Sequence, residues 1–68
     1  MRIRTESGDV KTEEIKEVKI GERGKKNPFY EIWFVLKDGS QIKAFTEYDK
    51  FNAVRVANFY KPNSFSAV

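Results

Sequence analysis

The run Phe29-Tyr30-Glu31-Ile32-Trp33-Phe34-Val35-Leu36, closed by Lys37-Asp38-Gly39-Ser40 and followed by Gln41-Ile42-Lys43-Ala44-Phe45-Thr46, constrains this chain more than any other segment. An Asp-Gly step between two β-prone runs is a hairpin signal, and the register set at the turn decides which side chains share a face. A three-residue loop, Lys37-Asp38-Gly39, with glycine in the left-handed position, sets Leu36 opposite Ser40, Phe34 opposite Ile42, Ile32 opposite Ala44 and Tyr30 opposite Thr46. Tyr30, Ile32, Phe34, Leu36, Ile42 and Ala44 then form one apolar side. The other side pairs Trp33 with Lys43, Val35 with Gln41 and Glu31 with Phe45. A two-residue loop on Asp38-Gly39 would set Phe34 against Lys43 and mix the faces, which the pattern rejects.

The flanking segments supply cover for one of these faces. Met1 to Thr5 alternates as a short edge strand, and Glu6-Ser7-Gly8-Asp9 is a turn cluster. Residues 10–15 fit either a continued strand or one helical turn. Glu17 to Arg23 reads as a strand with Val18 and Ile20 on one side and Lys19 and Gly21 on the other, and Gly24-Lys25-Lys26-Asn27-Pro28 as a loop. Thr46-Glu47-Tyr48-Asp49 has the form of a helix start, predicting a helix from Glu47 to Tyr60 that Pro62 stops. Its apolar arc holds Tyr48, Ala53, Val56, Ala57, Phe59 and Tyr60, while Phe51 and Val54 fall outside it. The expected fold is α+β: an antiparallel meander of three or four strands with one C-terminal helix packed on one face. Residues 1–61 make a single domain and 62–68 a tail, with Phe65 able to anchor it.

A chain of 68 residues buries a small fraction of its surface and has one layer of helix to spend on two apolar sheet faces. The face bearing Trp33 and Phe45 is therefore expected to look for a partner. With no cysteine and no histidine, the chain lacks thiolate ligands, the commonest metal ligand and the usual proton shuttle near neutral pH. Ser7, Ser40, Ser64 and Ser66 have no histidine to activate them. Glu13 and Glu14 lie in a lysine-rich stretch, with no apolar packing expected beside them, and read as solvated surface. The expectation is a non-catalytic protein without cofactor or metal. No apolar run is long enough to span a membrane and no leader pattern opens the chain, so a cytoplasmic location is expected.

Thirteen Lys and Arg against ten Asp and Glu leave a net charge of +3, and the cations crowd at Lys16, Lys19, Arg23, Lys25 and Lys26. Gly21-Glu22-Arg23-Gly24-Lys25-Lys26 is not a P-loop, because Asn27 follows the lysines and no helix opens after it. Such a loop suits contact with a nucleic-acid backbone instead. Trp33, beside Phe45 and Lys43, is the side chain best suited to stack on a base or to enter a groove. The alternative is that the N-terminal segment, the tail or a second copy covers this patch. The closing Ser66-Ala67-Val68 also fits the carboxylate pattern read by PDZ-like domains.

The stretch from Lys26 to Tyr60 resembles AP2-type and integrase N-terminal arm-binding domains, on Phe29-Tyr30-Glu31-Ile32, the Lys37-Asp38-Gly39 turn and Ala44-Phe45-Thr46 leading into a helix. In those families the uncovered sheet face lies in the DNA major groove. The resemblance implies Trp33, Lys43 and Arg23 as contacting positions, with Lys25 and Lys26 on phosphates. The binding set expected from the sequence is thus Trp33, Lys43, Phe45, Arg23, Lys25 and Lys26. The alternative partner is a protein, with the chain acting as a small inhibitor or adaptor of phage or mobile-element type, docked through the same face or a strand edge, or a second copy in a homodimer.

Overall fold

The computed structural model describes residues 1–61, so the expectations for the tail, for Phe65 and for the C-terminal tripeptide lie outside the described residues. Five strands and one helix follow in order: β1 (Arg2–Thr5), β2 (Gly8–Lys11), a 3-10 turn (Thr12–Glu14), β3 (Ile15–Arg23), β4 (Phe29–Leu36), β5 (Gln41–Glu47) and α1 (Lys50–Tyr60). β3, β4 and β5 form an antiparallel sheet in that order, and β1 and β2 form a separate hairpin. The fold is α+β, with a three-stranded meander and the C-terminal helix against one face. No described helix is long and apolar enough to cross a membrane.

The β4–β5 turn forms as its residues dictate. Gly39 takes φ +93°, its N–H donates to the Leu36 carbonyl at 2.9 Å, and the Leu36 N–H donates to the Ser40 carbonyl at 2.8 Å. Asp38 fastens the loop by accepting from the Ser40 N–H and hydroxyl, at 2.9 and 2.6 Å. Near the turn the register is the expected one, with Val35 opposite Gln41, Phe34 opposite Ile42 and Trp33 opposite Lys43.

Beyond Trp33 the register slips by one residue: Ile32 faces Phe45, Glu31 faces Thr46 and Tyr30 faces Glu47. Ala44 is the extra residue of a bulge, fully buried. The slip turns Phe45 to the helix side, where it packs edge-on to Phe34 at 6.0 Å and stacks on Tyr60 at 5.6 Å. Full burial of a phenyl ring contributes about 1.5–3 kcal/mol, of which the half-buried Phe45 gains a part. The backbone cost is small, because the Glu6 N–H donates to the Ala44 carbonyl at 2.9 Å. A second irregularity, at Lys16 in β3, lets Ile15 and Val18, three positions apart, both face the core.

The core is one cluster of Ile3, Val10, Ile15, Val18, Ile32, Phe34, Ala44, Ala53 and Ala57. The hairpin supplies Ile3 and Val10, and its turn docks on the outer edge of β5. Ser7 Oγ donates to the Lys43 carbonyl at 2.7 Å, beside the Glu6 contact. The helix starts at Lys50, later than expected, because Thr46 and Glu47 stay in β5 against Glu31 and Tyr30. Asp49 precedes it as an extended N-cap residue, its carbonyl accepting from the Ala53 N–H at 3.0 Å. Ala53 and Ala57 are its buried positions, with Val56 and Tyr60 half-buried. Tyr48 and Phe59, expected in the buried arc, are exposed, as are Phe51 and Val54.

Candidate functional site

Strand alternation places Arg23, Gly21, Lys19 and Glu17 of β3 on the sheet face away from the helix. β4 adds Phe29, Glu31, Trp33 and Val35, and β5 adds Gln41, Lys43 and Thr46. None of the apolar residues on this face belongs to the core cluster or packs against it. The helix packs on the other face, the hairpin turn reaches this one at Lys43 through Glu6, and Trp33 at its centre is half-buried. Lys19 on one side and Lys43 on the other stand directly opposite Trp33, so a single row across the sheet reads lysine, tryptophan, lysine. A shallow groove of about 370 Å³ runs past the indole, lined by Lys19, Ile20, Gly21, Arg23, Trp33 and Gln41. Gly21 leaves this groove open: a Cβ built there meets nothing within 4 Å.

Glu31 organises the charges of this face. Its carboxylate accepts from Arg23 Nε at 3.0 Å through Oε1 and lies 3.5 Å from Lys43 Nζ through Oε2. The Arg23 hydrogen bond holds its pKa below the ordinary carboxylate value, against an opposing push from burial, with Trp33 and the Lys43 charge adding to the lowering. Lys43 also meets Glu6 at 3.4 Å, and the Glu6 carboxylate, with Glu31 behind it, raises the lysine pKa. The face therefore carries a chain of alternating charge from Glu6 through Lys43 and Glu31 to Arg23. Lys19, Lys25 and Lys26 make no ion pair among the described residues, and all three are exposed.

Of the six expected positions, the structure brings Trp33, Lys43 and Arg23 together on the open face, with Lys25 and Lys26 in the loop that leaves β3 beside Arg23. Phe45 is not among them. The bulge at Ala44 moves it to the helix side, so the expected pairing of Glu31 with Phe45 is replaced by Glu31 with Thr46. The aromatic companions on the open side are instead Phe29 and Tyr48, whose rings lie 6.3 Å apart. Lys19 is outside the expected binding set, although its place among the clustered cations and its alternation against Val18 and Ile20 are visible in the sequence. Only the β3–β4 register, which a loop of five residues leaves free, puts it opposite Trp33.

Two grooves flank the helix. One, of about 330 Å³, lies towards β5 between Phe45, Glu47, Arg55, Val56, Phe59 and Tyr60, and the other, of about 290 Å³, towards β3 between Ile20, Glu22, Tyr30, Lys50, Ala53 and Val54. Among the described residues no group of three or more Asp or Glu is placed to hold a metal ion. Comparison with known proteins finds no matching family model, no matching curated protein and no matching solved structure.

Proposed function

We propose that this chain is a small non-catalytic nucleic-acid-binding domain that lays the open face of β3–β4–β5 on its ligand. The observation that supports the reading is the row Lys19, Trp33, Lys43 on the sheet face away from the helix, with Lys25 and Lys26, which make no ion pair among the described residues, in the loop that follows Arg23 on the same strand. The indole can stack on a base or lie along a groove while Lys19 beside it meets a phosphate, Lys43 on its other side being held by Glu6 and Glu31. Arg23 keeps donors beyond Nε for a phosphate, since its contact with Glu31 runs through Nε alone. In this reading Glu31 sets the orientation of Arg23 and Lys43, and Lys19, Lys25 and Lys26 supply most of the free charge.

The test is a fluorescence polarisation titration of labelled single- and double-stranded DNA and RNA at rising salt. Binding should weaken linearly in log–log form, with a slope of about 0.9 per neutralised phosphate on B-DNA. Trp33 emission should shift on binding. Absence of any binding at about 50 mM salt, where phosphate contacts are strong, rejects the reading. A second reading, docking on a partner protein, draws on a different observation: Phe51 is 85% and Phe59 69% exposed on the outer side of α1. Binding insensitive to salt and abolished by Phe51→Ser would favour it.

A further inference from the structure

The two edges of the sheet are treated differently. The edge of β5 is closed by the hairpin turn, through Glu6 N–H to the Ala44 carbonyl and Ser7 Oγ to the Lys43 carbonyl, and by the bulge itself. The outer edge of β3 has no such cover past its first residue: the Ile15 N–H donates to the Thr12 carbonyl, and among the described residues no backbone hydrogen bond beyond the β4 ladder reaches residues 17–23. This strand has no proline, and its irregularity sits at Lys16, which leaves Glu17 to Arg23 as a regular run. Ile20 on its helix side is 41% exposed and lies in the groove with Tyr30, Ala53 and Val54.

We propose that two copies of the chain pair antiparallel along β3 about a two-fold axis at Ile20, joining their sheets into one of six strands. A two-fold axis normal to the sheet pairs residues of the same face, so the axis must pass through a residue, and the charges select which one. An axis at Lys19 sets that lysine against its own copy, and an axis at Gly21 sets Lys19 against Arg23 twice. An axis at Val18 runs at once into the irregularity at Lys16. An axis at Ile20 sets Ile20 against Ile20, Glu17 against Arg23 twice and Lys19 against Gly21 twice, each lysine lying over the space that glycine leaves open. The apolar pair is covered by the two Val54 side chains, which stand exposed on the same flank.

Pairing in this way also joins the two open faces. Across the boundary the row becomes Lys43, Trp33, Lys19, then Gly21 and Glu31 of the second copy, and the Trp33 face doubles in extent. The pairing rests on the β3 edge and not on any ligand, so its test uses nuclease-treated protein.

Sedimentation equilibrium from about 1 μM to about 1 mM, a range spanning moderate to weak association, should show the mass rising to twice the monomer. Ile20→Lys, at a position already partly open to solvent, should return it to monomer with an unchanged circular dichroism spectrum. Because the chain has no cysteine, Ile20→Cys, Lys19→Cys and Gly21→Cys read the register directly. Mild oxidation should link Ile20→Cys chains in high yield and the other two poorly. Monomer at every concentration overturns the proposal, as does a dimer that survives Ile20→Lys, which would place the interface elsewhere, such as at Phe51 and Phe59. A dimer linked best at position 19 or 21 overturns the register.

Discussion

Phe34 and Trp33 are neighbours in sequence and opposites in environment. Phe34 is fully buried, touched by Phe45 and Tyr60, whereas Trp33 stands outside the core cluster. Phe34→Ala should cost about 3–5 kcal/mol in urea denaturation, and Trp33→Ala clearly less; equal losses would mean that the indole face is covered. Glu31 carries a second prediction. Its folded pKa lies below the ordinary 4.5, chiefly through the Arg23 hydrogen bond. Its contribution to stability is present above that value and lost as pH falls through the depressed one. Glu31→Gln should flatten the acid limb of stability below about pH 4.5 relative to the wild type. If nucleic acid is the ligand, the same variant should bind it several-fold tighter, because Arg23 and Lys43 lose their neutralising carboxylate. A variant with unaltered acid sensitivity would show that other carboxylates, such as Asp38 under its Ser40 hydrogen bonds, dominate the limb.

At the scale of elements, two glycines of similar backbone conformation make unequal demands. Gly39 at φ +93° has nothing within 4 Å of a built Cβ, so Gly39→Ala should cost only the conformational strain, about 1–2 kcal/mol. Gly24 at φ +83° would place the same atom 2.6 Å from the Asn27 carbonyl oxygen, and Gly24→Ala should cost more than Gly39→Ala in the same melts. The β4–β5 turn was legible in the sequence because Lys37-Asp38-Gly39 fixes its own geometry, and with it the pairs from Val35–Gln41 to Trp33–Lys43. The slip at Ala44 was not. It depends on what lies far away in the chain: Tyr60, which receives the Phe45 ring, and Glu6, whose N–H occupies the freed carbonyl. The expected Thr46 cap failed for the same reason, since the slipped register keeps Thr46 and Glu47 in the strand. On the helix, Ala53, Val56, Ala57 and Tyr60 of the expected arc do face the sheet, whereas Tyr48 and Phe59, placed in the same arc, are exposed. The expected arc is too wide: Tyr48 precedes the helix, and Phe59 lies at the edge of a stripe centred on the two alanine methyl groups.

For the whole molecule, the small core sets the terms on which a ligand can be detected. The cluster contains a single aromatic residue, and three of its nine members are alanines, so little apolar area is buried per residue. A domain of this size responds steeply to anything that binds its folded state alone: a ligand at 100 times its Kd adds about 2.7 kcal/mol, and each kcal/mol moves Tm by about 4–8 °C in chains of 60–100 residues. A polyanion that engages the Lys19–Trp33–Lys43 row and the β3–β4 loop should therefore raise Tm by about 10–20 °C at saturating concentration and low salt, and far less at high salt. Lys25→Glu combined with Lys26→Glu alters two exposed side chains with no ion pair among the described residues. That variant should keep the Tm of the free protein and lose most of the rise. A polyanion that raises both proteins alike would be acting elsewhere, on Lys50 and Arg55 of the helix or Arg2 and Arg4 of the hairpin, and the open sheet face would lose its claim to be the binding surface.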